Sequence, residues 1–169
     1  MRRPEPNSNR YDLQPNDFIV SKTDLKGNIT YCNQIFIQIS KYSETELIGA
    51  PHNLIRHPDM PRVVFKLLWD RIKNKQEIFA FVKNLSKDGG YYWVFANVTA
   101  SLDSSGNVIG YYSVRRKPSE EGIKVLSELY AKLIELEKSG GMDASEKYLF
   151  DLLDEKGVGY DELIVSLQG

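Results

Sequence analysis

The fold of this chain turns on His52-Asn53-Leu54-Ile55-Arg56-His57-Pro58-Asp59-Met60-Pro61. Arg56, His57 and Asp59 place a cation, an imidazole and a carboxylate within four residues, and prolines stiffen the backbone that presents them. Asp59 is placed to cap the run that follows, with Met60 and Pro61 as its first helical positions. That run, Val63 to Ile72, has an apolar face at helical spacing. Two roles stand side by side for the corner. It is either a capped loop with solvated Arg and His, or a mouth that grips the anionic or hydrogen-bonding part of a cofactor.

Upstream, Phe18-Ile19-Val20-Ser21 and Ile29-Thr30-Tyr31-Cys32 predict two strands joined by the turn Asp24-Leu25-Lys26-Gly27-Asn28, a hairpin. Asn33 precedes Ile35, Phe36, Ile39 and Tyr42, which fall at helical spacing. Ser43-Glu44-Thr45-Glu46-Leu47-Ile48-Gly49 predicts a capped turn stopped by glycine. These helices are too short to stand without tertiary packing, so they form a lid and not a bundle. Downstream come strands over Phe79–Asn84, Tyr91–Ser101 and Val108–Arg115, with turns at Lys87–Gly90 and Asp103–Asn107. The fold class is therefore α+β, a five-stranded antiparallel sheet with helices on one face.

Two end segments flank that domain. Residues 1–16 are polar and proline-bearing, and are expected to form a flexible arm ahead of a domain at 17–117. Residues 118–169 are expected to form a C-terminal helical output segment. Its stripe of Ile123, Leu126, Leu129/Tyr130, Leu133 and Leu136 either offers an output surface or packs back on the sheet. Ser139-Gly140-Gly141 predicts the end of the first helix, with further helices around Tyr148–Leu153 and Tyr160–Leu167.

Composition narrows the function. The 169 residues hold 22 Lys+Arg against 23 Asp+Glu, with no basic bias toward nucleic acid. Cys32 is the single cysteine, so no intrachain disulfide or thiolate metal cluster can form, and a reducing cytoplasm suits the chain. No window approaches the ~18–20 apolar residues of a membrane span, and the amino terminus lacks a secretory pattern. Any membrane signal is therefore expected to pass through a partner. Phosphate loops and nucleophile triads are missing from the text, so an enzyme is not expected.

The stretch Phe18 to Arg115 resembles a PAS domain, and more narrowly the PAS domains of aerotaxis receptors (the Aer family). The resemblance is carried by Ser21-Lys22-Thr23-Asp24-Leu25, Glu46 to Asn53, Ile55 to Pro61, Phe65 with Leu68-Trp69, Val82-Lys83-Asn84, and Tyr92-Trp93-Val94 with Ala96-Asn97. It implies a non-covalent FAD and a redox readout. Arg56, His57 and Asp59 match the family's cofactor-retention motif; His52 and Trp69 match nearby positions, and Asn84 matches a Lys-Asn pair ending a pocket strand. Ile78 stands where the family receptor carries Trp, which leaves Phe79 or Phe81 as substitute ring partners.

An isoalloxazine plate needs an apolar slot with side-chain amides at its edge. Asn33 and Asn84 offer amides; strand-end and helix capping are their structural alternatives. Trp69 suits core packing as well as a site wall, and Tyr92 and Trp93 must face opposite sides of one strand. Asn33, His52, Arg56, His57, Asp59, Trp69, Asn84 and Tyr92 form the candidate FAD-binding set. His52 and His57 leave a haem gas sensor as the rival, and a cofactor-free interaction module is the other. A thiol photoadduct at Cys32 is rejected, because Cys32 ends a strand. The expected whole is a cytoplasmic energy-taxis sensor acting on a separate membrane-bound chemotaxis transducer of the HAMP, methyl-accepting kind. A second copy of the chain is the other candidate partner.

Overall fold

The computed structural model describes residues 2–169. Strands β1 (Arg10–Tyr11), β2 (Ile19–Thr23), β3 (Ile29–Cys32), β4 (Ile78–Leu85), β5 (Tyr91–Leu102) and β6 (Val108–Arg116) form one sheet. Five of them pair antiparallel in the order β3-β2-β6-β5-β4. The β2–β3 turn closes on Asp24, whose carboxylate accepts the N–H groups of Lys26 and Asn28, both at 2.9 Å. Gly27 there takes φ +85°, which a side chain would resist.

The expected mobile arm is instead docked. β6 pairs with β5 only from Phe95 onward, and β1 takes the vacant edge, running parallel to Tyr91 and Tyr92. Asn7 N–H donates to Gly89 O at 2.9 Å, Tyr11 OH bonds the Asp88 carboxylate, and Leu13 is buried. A two-residue strand shows no alternation, so its pairing is set by the open edge and not by its own pattern.

Side chains alternate along β4 and β5, and the two faces meet different partners. The inner face is covered by α1 (Gln34–Ser40), α2 (Glu44–Leu47), a 3-10 turn (His52–Ile55) and α3 (Arg62–Lys73). Asn33 caps α1, and Ser43 with Glu46 forms a full capping box on α2. Asp59 does not cap α3: the helix starts at Arg62, Pro61 is its N-cap without a side-chain bond, and Asp59 pairs with Lys83 at 2.8 Å. Proline's fixed φ suits the entry to the helix, and the stronger charge-assisted bond takes the carboxylate elsewhere.

The outer face is covered by α4 (Glu120–Lys156) and α5 (Tyr160–Gln168). Ile123, Leu126, Tyr130 and Leu133 are buried. Tyr130 stacks on Trp93 at 6.2 Å and donates to Phe81 O at 2.6 Å, while Gly122 lies on the Phe81 ring. The apolar stripe of α4 thus packs on its own sheet and is not an exposed output surface. α4 bends at Gly141, where φ is +73°, and its second half and α5 return toward α3 and β4, with Leu149, Leu153, Tyr160 and Ile164 buried. No helix of the described residues is long and apolar enough to cross a membrane.

Candidate functional site

Between the inner face and α3 lies a cavity of about 230 Å³. Phe65, Leu68, Trp69 and Ile72 of α3 form one wall; Val82, Asn84, Ala96 and Val98 of β4 and β5 form the opposite one. Trp69 meets Tyr111 edge to face at 5.2 Å, so both rings hold a flat apolar slot. The exposed Lys26 and Asn53 mark its opening side, with the half-buried Arg56.

One end of the slot is polar and buried. Arg115 is 3% exposed, lies over the Phe36 ring at 4.6 Å, and has no carboxylate partner among the described residues. Its Nη2 donates to Ser21 Oγ at 2.6 Å, and its Nη1 approaches His52 Nε2 at 3.4 Å. Ser21 Oγ in turn stands 3.0 Å from His52 Nε2. Burial and then the Arg115 charge push the His52 pKa down to about 3, so the ring is neutral and its Nε2 accepts. Burial lowers the Arg115 pKa to about 10, which still leaves a full cation at neutral pH.

Three polar atoms on this face are buried without a hydrogen-bond partner: Asn84 Nδ2, Tyr92 OH and Arg115 Nε. Asn84 and Tyr92 are direct partners across β4 and β5, so their side chains share the inner face. Burial raises the Tyr92 pKa and keeps its hydroxyl protonated. An unpaired buried donor costs about 1–3 kcal/mol. An amide donor and a guanidinium donor lining one slot, with a hydroxyl beside them, suit a ligand edge rich in acceptors.

Of the candidate residues, His52, Arg56, Trp69 and Asn84 line the cavity, and Tyr92 stands beside Asn84. Asn33 is committed elsewhere: its Oδ1 accepts from Val20 N–H at 3.1 Å and Phe36 N–H at 3.3 Å, and its Nδ2 donates to Phe18 O at 2.8 Å. It holds the hairpin to α1. His57 and Asp59 buttress the corner. His57 is buried, its Nδ1 accepts the Asp59 N–H at 3.0 Å, and it meets Tyr91 edge-on. Burial, then the Lys83 charge, holds its pKa down to about 4. His52 Nε2 is therefore engaged by Ser21 and Arg115, and His57 does not line the cavity, so neither imidazole offers a ligand to a haem iron there.

The corner's effect is to fix Arg56 against the pocket strand. Arg56 forms an isolated bridge to Asn84, and its guanidinium lies 4.0 Å above the Phe65 ring. Phe79 and Phe81 are not the ring partners: on the outer face Phe79 stacks on Phe95 and Phe81 meets it edge-on. Trp69 is the large aromatic in the cavity wall. Cys32 is buried, its pKa raised chiefly by burial, and it is not among the cavity residues. Ser21 and Arg115, the polar end of the slot, were not in the candidate set. They lie 94 residues apart and become neighbours only through the β2–β6 register.

The comparisons with known proteins bear on the same region. A family model for the PAS fold matches residues 29–115. The aerotaxis receptor of Escherichia coli K12 is 40% identical over 115 residues, which cover 68% of this chain and 22% of the receptor. The nitrogen fixation regulatory protein of Klebsiella pneumoniae is 29% identical over 97 residues, 57% of this chain and 20% of that protein. The chain thus spans about a fifth of these curated relatives' length. Among solved structures, the light-state LOV domain of the blue-light photoreceptor Aureochrome1 superposes with a TM-score of 0.58 at 26% identity, covering 65% of this chain and 88% of that one.

Proposed function

We propose, from the premise that this chain belongs to the PAS family, that it is a redox sensor holding a flavin, with FAD as that flavin. Its relatives are receptors and regulators, and the matched region is a sensor domain and not an enzyme's catalytic domain. The observation that carries the reading is the pair of unpartnered buried donors lining one slot, Asn84 Nδ2 and Arg115 Nε, with the Tyr92 hydroxyl beside Asn84. A flavin's ring edge presents carbonyl and ring-nitrogen acceptors that answer such donors. The likeness to the aerotaxis receptor and to the LOV domain of a blue-light photoreceptor supports the same group.

A flavin held here would supply reversible uptake of electrons. The chain's residues do the rest. Phe65, Leu68 and Trp69 exclude water from the slot, and Asn84 and Arg115 donate to the ring edge. The cavity of about 230 Å³ falls below the ~300 Å³ of a pocket that encloses a whole drug-sized ligand. The ring is therefore the enclosed part. Arg56, at the opening, is the donor for the pyrophosphate that distinguishes FAD. Arg115 responds to any added negative charge in the slot, and its bonds to Ser21 and His52 carry that response to β2 and the 3-10 turn.

The sensor is residues 17–117, and residues 118–169 form the output segment. The output reaches a membrane-bound chemotaxis transducer at the cytoplasmic face by protein contact, a partner suggested by the aerotaxis relative. The deciding experiment is the absorption spectrum of purified protein before and after dithionite, with chromatography of the released ligand. Paired blue and near-ultraviolet bands that bleach, with FAD in the extract, are expected. A single Soret band would overturn the reading in favour of haem, and FMN in the extract would overturn the choice of FAD.

A further inference from the structure

α3 begins without a cap of its own, since Pro61 makes no side-chain bond there. The acceptors arrive from 75 residues away. Glu137 Oε1 takes the Arg62 N–H at 2.8 Å, and its Oε2 takes the Val63 N–H at 3.1 Å. The Glu137 side chain is 7% exposed, with Arg62 Nε at 3.6 Å. Ser145, fully buried and beyond the Gly141 bend, donates its hydroxyl to Glu137 Oε2 at 2.8 Å. One carboxylate therefore joins the first turn of α3 to both halves of α4.

α3 is also the cavity wall that carries Phe65, Leu68 and Trp69. Burial, then the Arg3 charge, lowers the pKa of Arg56 at the opening, and the Glu137 carboxylate opposes that shift. A carboxylate on two N–H groups at a helix start is held by charge-assisted bonds and by the helix dipole. A small shift of α3 breaks both bonds at once. The other two ties, Lys66 to Glu146 and Arg71 to Asp161, are more exposed ion pairs that follow such a shift.

We infer that Glu137 is a positioning residue for the ligand site: it caps α3 from the output segment, and so transmits the state of the cavity to residues 142–169. The inference rests on the proposed flavin only for the identity of the ligand. A packed contact with two discrete arrangements, held or released, is the kind of element that turns a sub-ångström change at a site into a larger one.

The test is hydrogen exchange on the full chain loaded with FAD, oxidised and dithionite-reduced, for the native protein and Glu137→Gln. In the native protein, exchange over 142–169 is expected to change with redox state. In Glu137→Gln it is expected to rise in both states by roughly 2- to 30-fold, the range of a lost helix cap, and the redox difference is expected to vanish. The bound flavin's absorption fine structure should shift in the variant, a readout that loosening of the tail alone would not move. An equal redox difference in both proteins overturns the inference and leaves the flavin reading standing. If neither protein takes up FAD, the flavin reading fails. The coupling is then measured in ligand-free protein, where amides of Arg62–Phe65 and of 142–169 must speed up by the same factor, and unequal factors overturn it. Should Glu137→Gln not fold, Ser145→Ala removes one donor to the same carboxylate, and loosening of 142–169 together with the start of α3 is the expected result. Loosening confined to 142–169 overturns it.

Discussion

The two faces of β4 and β5 are built from the same strands and end in opposite conditions. Outward, Phe79, Phe81, Trp93 and Phe95 meet Gly122 and Tyr130, and the tyrosine hydroxyl is satisfied by Phe81 O. Inward, Val82, Asn84, Ala96 and Val98 face a cavity, and Asn84, Tyr92 and Arg115 keep buried atoms without partners. The outer face is filled by an aromatic layer, whereas the inner one holds a cavity where Asn84, Tyr92 and Arg115 converge. On the proposed reading, the outer face serves packing alone and the inner one also serves ligand recognition.

The largest expected break in that contrast is Tyr130→Ala. It empties the outer layer and strands Phe81 O, and should cost about 3–5 kcal/mol in denaturant unfolding. A loss below ~1 kcal/mol would mean that α4 is not part of the sensor's core. Gly122→Val probes the same layer from the other side. A Cβ at Gly122 would run into the Phe81 ring, so overpacking of about 1–3 kcal/mol is expected in the same assay.

Arg115→Met sharpens the contrast, because stability and binding should separate. Removing a buried, unpaired cation should leave the unfolding midpoint of ligand-free protein unchanged or higher. Flavin affinity should fall at least about tenfold, the ~1.4 kcal/mol of a charge-assisted bond. Lower stability with unchanged affinity would place Arg115 in the scaffold.

The smallest effect is a slope. His52 is held to about 3 in the folded chain against 6.5 for a free imidazole, so the unfolded chain binds the proton first. Its contribution is complete above pH 6.5 and is lost as pH falls toward 3, at a limiting rate of roughly 1.4 kcal/mol per pH unit. His57, held to about 4, adds a slope of the same sign. The stability difference between the native protein and His52→Gln should narrow steadily below pH 6.5 in ligand-free samples. A difference independent of pH would show that His52 is not held neutral.

Much of this architecture was legible in the residues, because local signals fix local structure. The hairpin turn at Asp24–Asn28, the cap at Ser43, the three long strands and the break at Gly140–Gly141 all follow from turn chemistry and periodicity. So does the placing of His52, Arg56, Trp69 and Asn84 around one slot, through the family wording. What was hidden depends on partners distant in the chain. Arg115 reads as an ordinary strand-end cation until β2 and β6 pair. Asp59 reads as a cap until Lys83 takes it and Glu137 replaces it. The stripe on α4 has the same spacing whether it meets a partner or its own sheet. Asn33 belongs to the same lesson, since an amide beside a strand end serves a cap and a ligand equally well on paper. β1 gave no signal, as two residues carry no period.

The most direct measurement of the inner face's role is an FAD titration of ligand-free Asn84→Ala protein beside the native chain, followed by flavin fluorescence. Saturable binding by the native protein, weakened about tenfold or more in the variant with its unfolding midpoint little changed, is the predicted result. Equal affinity in the two proteins, or no uptake of flavin by either, would contradict it.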